Sequence, residues 1–166
     1  SIKYLKYQQK IIILFSLFFY SYWNPLFLFL ILYLSSITYL CYKKNVSTWL
    51  SIVFIFLPLA YFKYSEFFFN TLGYDQLISI SYKSELPLAI SFITFTAVAF
   101  VIDTKKKKFI EKVSFLSFLE FIVYFPQLIA GPILRAKELI PILKKKILFS
   151  RDNVKFGVIL FTIGFI

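Results

Sequence analysis

Phe121-Ile-Val-Tyr-Phe-Pro-Gln-Leu-Ile-Ala-Gly-Pro-Ile-Leu-Arg-Ala-Lys-Glu-Leu-Ile-Pro-Ile-Leu143 is an apolar run interrupted by Pro126, Gly131 and Pro132 and closed by Arg135. Pro126 removes a backbone donor and clashes with the preceding turn. Pro132 does so again, and each proline pushes the residue before it, Phe125 or Gly131, out of the helical region. The backbone here cannot be one continuous helix. Val123, Tyr124, Phe125, Leu128, Ile129, Ala130, Ile133 and Leu134 are nevertheless too apolar for a solvated loop. Broken backbone at membrane depth survives only where protein or a water-filled cavity satisfies its polar groups, so this segment is expected to line an internal site.

The composition around it agrees. Hydrophobic residues make up 60% of the 166 and charged residues only 16%; with a mean hydropathy of +0.78, the chain has too few polar side chains to cover a soluble surface. The reading is an integral membrane protein, all-α. The net charge of +11 comes from 19 basic and 8 acidic residues. The basic residues gather at Lys43-Lys44, at 105–108 and at 144–146, each at the end of an apolar segment. That placement marks the cytoplasmic side of a membrane protein rather than a nucleic-acid surface. No nucleic-acid partner is expected. No Met occurs, and Phe165-Ile166 lie inside an apolar run, so the expectation is a piece of a longer polypeptide, cut inside a helix. Lys3, Lys6 and Lys10 followed by residues 11–17 resemble a signal peptide, but bulky Tyr20-Ser21-Tyr22-Trp23 offers no cleavage site.

Residues 11–42 carry no charge, a run too long for one untilted span, and Asn24-Pro25 punctuates it. A hairpin of two helices, 4–23 and 25–42, is expected, with Trp23 and Tyr22 in the interfacial belt and Lys6 and Lys10 snorkelling. Residues 46–62 form the third span, kinked at Pro58. A short interfacial helix and a loop follow over 64–85, with Glu66, Asp75, Lys83 and Glu85 around Phe67-Phe68-Phe69 and a turn at Gly73. Residues 86–102 are the fourth span. Residues 109–124 begin amphipathic, turn apolar and run into the broken segment; residues 139–147 should lie at the cytoplasmic surface, and residues 154–166 begin another span. If Lys43-Lys44 are cytoplasmic, the parity of spans puts the 66–85 loop outside and both later lysine runs inside. The segment between those runs then enters and leaves on one side: it is re-entrant, in a partial ring of transmembrane helices.

The search for catalytic groups is mostly negative. Without a histidine there is no Ser/His or Cys/His pair, and the single Cys41 reads as a packing residue. No metal site, no bound cofactor and no catalytic residue are expected in these residues, and glycines 73, 131, 157 and 164 are too scattered to cradle a phosphate. Glu120 is the acid inside an apolar run. At that depth it costs a few kcal/mol unless paired or wet, so it is a possible intramembrane acid, or else lies at the interface. Arg135 is read three ways: pairing back with Glu120, gripping an anion, or donating to carbonyls that the prolines leave without partners. It could also be a topology charge.

Residues 124–135, Tyr-Phe-Pro-Gln-Leu-Ile-Ala-Gly-Pro-Ile-Leu-Arg, followed by Glu138-Leu-Ile-Pro141, resemble the hallmark segment of the membrane-bound O-acyltransferase family, in its bacterial branch of alginate O-acetylation and D-alanyl transfer proteins. Phe19-Tyr20-Ser21-Tyr22-Trp23-Asn24-Pro25, Leu59-Ala60-Tyr61-Phe62-Lys63-Tyr64 with Phe67-Phe68, and the stretch from Leu86-Pro87 to Val101-Ile102-Asp103 agree in order. The resemblance implies a ring of helices around a funnel in the cytoplasmic (inner) membrane. Its partners would be the lipid bilayer, a cytoplasmic acyl donor or acyl carrier whose identity the sequence leaves unknown, and an extracytoplasmic glycan acceptor or partner acetyltransferase. Residues 1–166 would be the N-terminal part of a single acyltransferase domain, with Pro126, Gln127, Gly131, Pro132 and Arg135 shaping the funnel. The family's catalytic histidine lies downstream of the hallmark and is absent here, so the chain alone is expected to be inactive. A transporter or channel element with a broken helix, and a non-catalytic scaffold or degenerate fragment, remain open as alternatives.

Single-cysteine labelling in a Cys41-free background tests the topology. Cysteines at positions 44, 106 and 145 are expected to react from one side and a cysteine at 75 from the other; opposite labelling of 106 and 145 would make the broken segment a full span.

Overall fold

The computed structural model describes residues 2–72, 86–106, 112–128, 131, 134–145 and 150–165. Those residues form eight helices and no strand: α1 (Ile2–Trp23), α2 (Phe27–Lys43), α3 (Thr48–Thr71), α4 (Ile90–Lys105), α5 (Phe115–Val123), α6 (Phe125–Leu128), α7 (Ala136–Leu143) and α8 (Arg151–Phe165). The expected all-α class holds. Among the described residues, one helix is long and apolar enough to cross a membrane, through the window Thr48–Ser65 of α3; α2 is apolar but shorter, at 17 residues.

The turns form where the sequence supplies turn chemistry. Between α1 and α2, the Asn24 side chain accepts from the Leu26 N–H at 3.0 Å, and Pro25 ends the first helix. After α2, Asn45 takes a left-handed φ of 54°, and the Val46 N–H reaches back to the Cys41 carbonyl at 3.0 Å. Asn tolerates that conformation, which closes the helix much as glycine would. Ser47 then caps α3, its hydroxyl accepting from the Leu50 N–H at 3.4 Å.

Two expectations are corrected. The residues after Phe62 do not start a separate interfacial helix, because α3 continues unbroken through Pro58 to Thr71. The stretch 62–71 has no glycine or proline, so nothing in it stops a helix already under way. The described part of the amphipathic helix expected from residue 109 begins at Phe115, after non-helical 112–114, with Ser114 as its N-cap; residues 109–111 lie outside the described residues. Residues 73–85, including Gly73, Asp75, Lys83 and Glu85, lie outside the described residues, as do Lys107, Lys108, Glu111, Pro132 and Lys146.

Helices α2, α3 and α4 pack together; α1 lies against α2, α5 and α6; α7 lies against α5. The core is aromatic at its centre. Phe118 of α5 is fully buried, with its ring 4.5 Å from Phe100 of α4 and 6.1 Å from Tyr39 of α2. Tyr42 meets Phe100 edge-on at 5.2 Å, and Tyr39 meets Phe115 at the same distance. These tilted and T-shaped pairs join α2, α4 and α5 into one unit. Helix α8 buries no side chain.

The approach to α4 is strained. Ala89, just before the helix, has φ 56° and ψ 20°, and the left-handed region costs a residue with a Cβ about 1–2 kcal/mol. It is held because the buried Tyr20 hydroxyl donates to the neighbouring Leu88 carbonyl at 3.1 Å. Ala89→Gly is therefore expected to leave the thermal midpoint in nanodiscs unchanged or raised. Ala89→Val should lower stability by about 1–2 kcal/mol, since a β-branched residue is a marked outlier there. A midpoint for the Val variant below wild type, with that of the Gly variant equal to or above wild type, is the check.

Candidate functional site in the broken segment

The segment singled out by its prolines is anchored on both sides. At its start, the Tyr39 hydroxyl donates to the Val113 carbonyl at 3.3 Å, and the Val113 N–H donates to the Tyr42 hydroxyl at 3.4 Å. At its finish, Arg135 Nη1 lies 3.6 Å from Asp103 Oδ1. Tyr42 and Asp103 stand near the C-terminal ends of α2 and α4, and Lys105 Nζ, hydrogen-bonded to Asn45 Oδ1, ties those two ends together. The segment thus starts and finishes at the same end of the bundle. Helix α7 lies across that end, from Arg135 beside Asp103 to Lys145, whose carbonyl accepts from Gln8 Nε2 of α1 at 3.1 Å.

Between the anchors the helix breaks at Tyr124, with φ −56° and ψ 97°. The break falls two residues before Pro126, which sits in the first turn of α6, where a missing N–H costs nothing. The Phe125 N–H, freed by the break, is accepted by the buried Ser16 hydroxyl of α1 at 3.4 Å. The Tyr124 carbonyl accepts from the Gln127 N–H at 3.1 Å, and the Gln127 carbonyl from the Gly131 N–H at 3.2 Å. Gly131 approaches that turn so closely that a Cβ on it would lie 2.7 Å from Gln127 Cα and 2.9 Å from its carbonyl oxygen. Glycine is required there by contact. Gln127 itself is buried.

Glu120 is buried on α5, 2% exposed, and does not pair with Arg135. Its Oε2 accepts from Gln9 Nε2 of α1 at 2.9 Å, and the same amide lies 3.3 Å from Ser117 Oγ, while Oε1 has no hydrogen-bond partner among the described residues. It is thus buried inside the protein, between α5 and α1. Among the described residues, Arg135 pairs with Asp103 and not with Glu120; the carbonyls on either side of Gly131 lie outside the described residues. The physical reason is charge. Asp103 is buried in the last turn of α4, where the helix dipole disfavours an anion, and a guanidinium offsets both penalties. The Arg135 N–H also donates to Glu138 Oε2 at 3.4 Å, which starts α7.

Sequence reasoning passed over Gln9, Ser16 and Asp103. Gln9, Ser16 and Tyr20 are spaced by seven and four, which puts them on one face of α1, and each serves a polar group of another element. That spacing was readable as a polar stripe on an otherwise apolar helix. Beside the break, Ile12, Phe15 and Phe19 of α1 face Tyr124, Phe125 and Pro126 across an open apolar groove of about 560 Å3.

What the described residues define is an all-helical fold of membrane character, with a Pro/Gly-broken segment whose Phe125 N–H is met by Ser16 of α1. A peptidoglycan O-acetyltransferase of Helicobacter pylori is 32% identical over 92% of this chain and 36% of its own length. A probable alginate O-acetylase AlgI of Pseudomonas aeruginosa is 29% identical over 81% of the chain and 29% of its own length. That of Pseudomonas putida is 36% identical over 49% of the chain and 18% of its own. The chain belongs to the membrane-bound O-acyltransferase family, in the branch of these O-acetylation proteins. It spans about a third of the length of the first two curated relatives. No family model and no solved structure matches it.

The Asp103–Arg135 contact can be tested by a double-mutant cycle. Arg135→Ala is expected to lower stability by about 1–2 kcal/mol, discounted from the fully buried case because the guanidinium is half exposed. Asp103→Asn in the Arg135→Ala background should restore part of that loss, and strictly additive effects would show that the two do not interact.

Proposed function

We propose that this chain supplies the N-terminal part of a single acyltransferase domain, which moves an acetyl group from a cytoplasmic donor or acyl carrier to a hydroxyl of a cell-envelope polymer outside. In this reading the lysine-rich end faces the cytoplasm in a multi-pass inner-membrane protein, and the segment from Val113 to Arg135 is re-entrant. The observation that carries it is the course of that segment, which leaves and returns to the same end of the bundle with the Phe125 N–H met by Ser16. The names of the relatives support acetyl as the group and a peptidoglycan- or alginate-like polymer as the acceptor, directly or through a partner acetyltransferase.

Pro126, Gln127, Gly131, Pro132 and Arg135 act here by shape. They set the break, the tight turn at Gly131 and the anchor to Asp103, and so line one wall of the funnel; Pro132 enters on the strength of the hallmark pattern alone. None of them is suited to take a proton from an acceptor hydroxyl at neutral pH. General-base assistance is typically worth about 100-fold to 10,000-fold, and its usual carrier is histidine, of which this sequence has none. Glu120 is not a substitute: its partner Gln9 follows Gln8, which bonds Lys145 at the lysine-rich end, far from an outer acceptor.

The chain alone should therefore insert in membranes without forming ester. Membranes containing only these residues, supplied with a donor-bearing extract and a glycan acceptor, are expected to match a vector control. The full acyltransferase, carrying its downstream histidine, should give ester above it. Reproducible ester from the chain alone would place the general base among these residues.

A further inference from the structure

The open groove beside the break runs along α1 from Ile11 to Tyr22, with Phe125 and Pro126 in its far wall. Phe19 and Phe125 meet there with ring centroids 5.6 Å apart. Every lining side chain is aliphatic, aromatic or proline, and Phe15, Phe18 and Phe125 remain exposed, so no described residue covers the groove. At a rise of about 1.5 Å per residue it is about 16 Å long. Spread over that length, its volume of about 560 Å3 leaves a slot about 6 Å across, well under the ~10–12 Å of a helix with its side chains. One hydrocarbon chain fits it, since carbon atoms pack at about 4 Å.

The two ends of the slot differ. Gln8 stands one turn before Ile12 on the same face of α1, and its amide donates to the Lys145 carbonyl at 3.1 Å. That bond sets the backbone of Lys145 at the mouth of the slot with its side chain exposed, and among the described residues no carboxylate pairs with it. The other end closes on Tyr22, ahead of the uncharged Asn24-Pro25 turn. A cation at the mouth and a hydrocarbon-wide slot leading away from the lysine-rich end have the layout of one phospholipid, headgroup first. A second copy of this chain would bring a helix too wide for the slot, and a soluble anion would gain nothing from the apolar wall. We infer that the groove binds one phospholipid, with its phosphate at Lys145 and one acyl chain against Phe125 and Pro126. The inference rests on the membrane placement proposed above, with the lysine-rich end among the headgroups, and is independent of acyl transfer.

The chain is reconstituted in phosphatidylcholine nanodiscs, extracted in mild detergent, titrated with phosphatidylglycerol and read by native mass spectrometry. Wild type should carry one phosphatidylglycerol per chain with saturable affinity. Ile12→Trp, which fills the slot, should weaken that adduct at least about tenfold, the effect of forcing about two methylenes out of it. Lys145→Gln, which keeps the carbonyl that Gln8 uses, should weaken it about fivefold, the share of one cation at a headgroup. Phe29→Trp, at an exposed position of α2 outside the groove, should bind as wild type. Helicity should be unchanged in all three. An equally strong adduct in Ile12→Trp, or none in wild type, overturns the groove. Full affinity in Lys145→Gln overturns the placement of the phosphate. Displacement of the lipid by inorganic phosphate at constant ionic strength overturns the acyl-chain assignment, and a lipid-free dimer that Ile12→Trp dissociates gives the groove to a second copy instead. Failure to enter the nanodiscs overturns the membrane placement and the groove together, whereas entry without an adduct overturns the groove alone.

Discussion

Breaking a helix among apolar side chains leaves backbone groups that water cannot reach, and an orphaned peptide N–H there costs several kcal/mol. At Tyr124 that cost is avoided by one hydroxyl, because Ser16 accepts from the Phe125 N–H. The consequence reaches across the bundle. Helix α1 must lie against α5 and α6 in a register that puts Ser16 at the break, and this brings Gln9 to Glu120 and Tyr20 to the Leu88 carbonyl. One helix thus supplies hydrogen bonds to a buried carboxylate, a broken backbone and a strained turn. The rest of its buried face, such as Ile13, is apolar packing.

The aromatic core does the complementary work of holding α5 where α1 can serve it. Phe118 wedges between Phe100 and Tyr39, and the hydroxyls of Tyr39 and Tyr42 grip the backbone at Val113 just ahead of the helix. Tyrosine suits this place, since its ring joins the cluster while its hydroxyl reaches a peptide group. A phenylalanine at either position would keep the packing and release the segment's start.

Acids are few in this chain, and the two that are buried among the described residues are treated differently. Asp103, at the end of α4, receives a full counter-charge from Arg135; Glu120, in the middle of α5, receives a neutral amide from Gln9. The first arrangement fastens the return of the broken segment to the lysine-rich end. The second leaves one carboxylate oxygen without a partner among the described residues, inside the helix that leads to the break.

The all-helical class, the hairpin at Asn24-Pro25, the break near Pro126 and the gathering of cations were legible in the sequence, because each is set by local chemistry: apolar runs, a missing N–H, a residue suited to a turn. The limits of α3 and α5 were less so, since composition shifts after Phe62 without any residue that stops a helix, and the start of α5 rests on one side-chain cap, Ser114 accepting from the backbone N–H of Ser117. The partners of Glu120 and Arg135 were not legible at all. Proximity along the chain favoured pairing them with each other, but Gln9 lies 111 positions from Glu120 and the choice depends on how α1 and α4 flank the segment. The sequence by itself determined that an apolar segment is broken at its prolines and that protein or a cavity has to satisfy the freed backbone. Only the tertiary structure decided which side chains satisfy it, because a hydrogen bond or ion pair between distant residues exists only once packing has set the register of the helices that carry them.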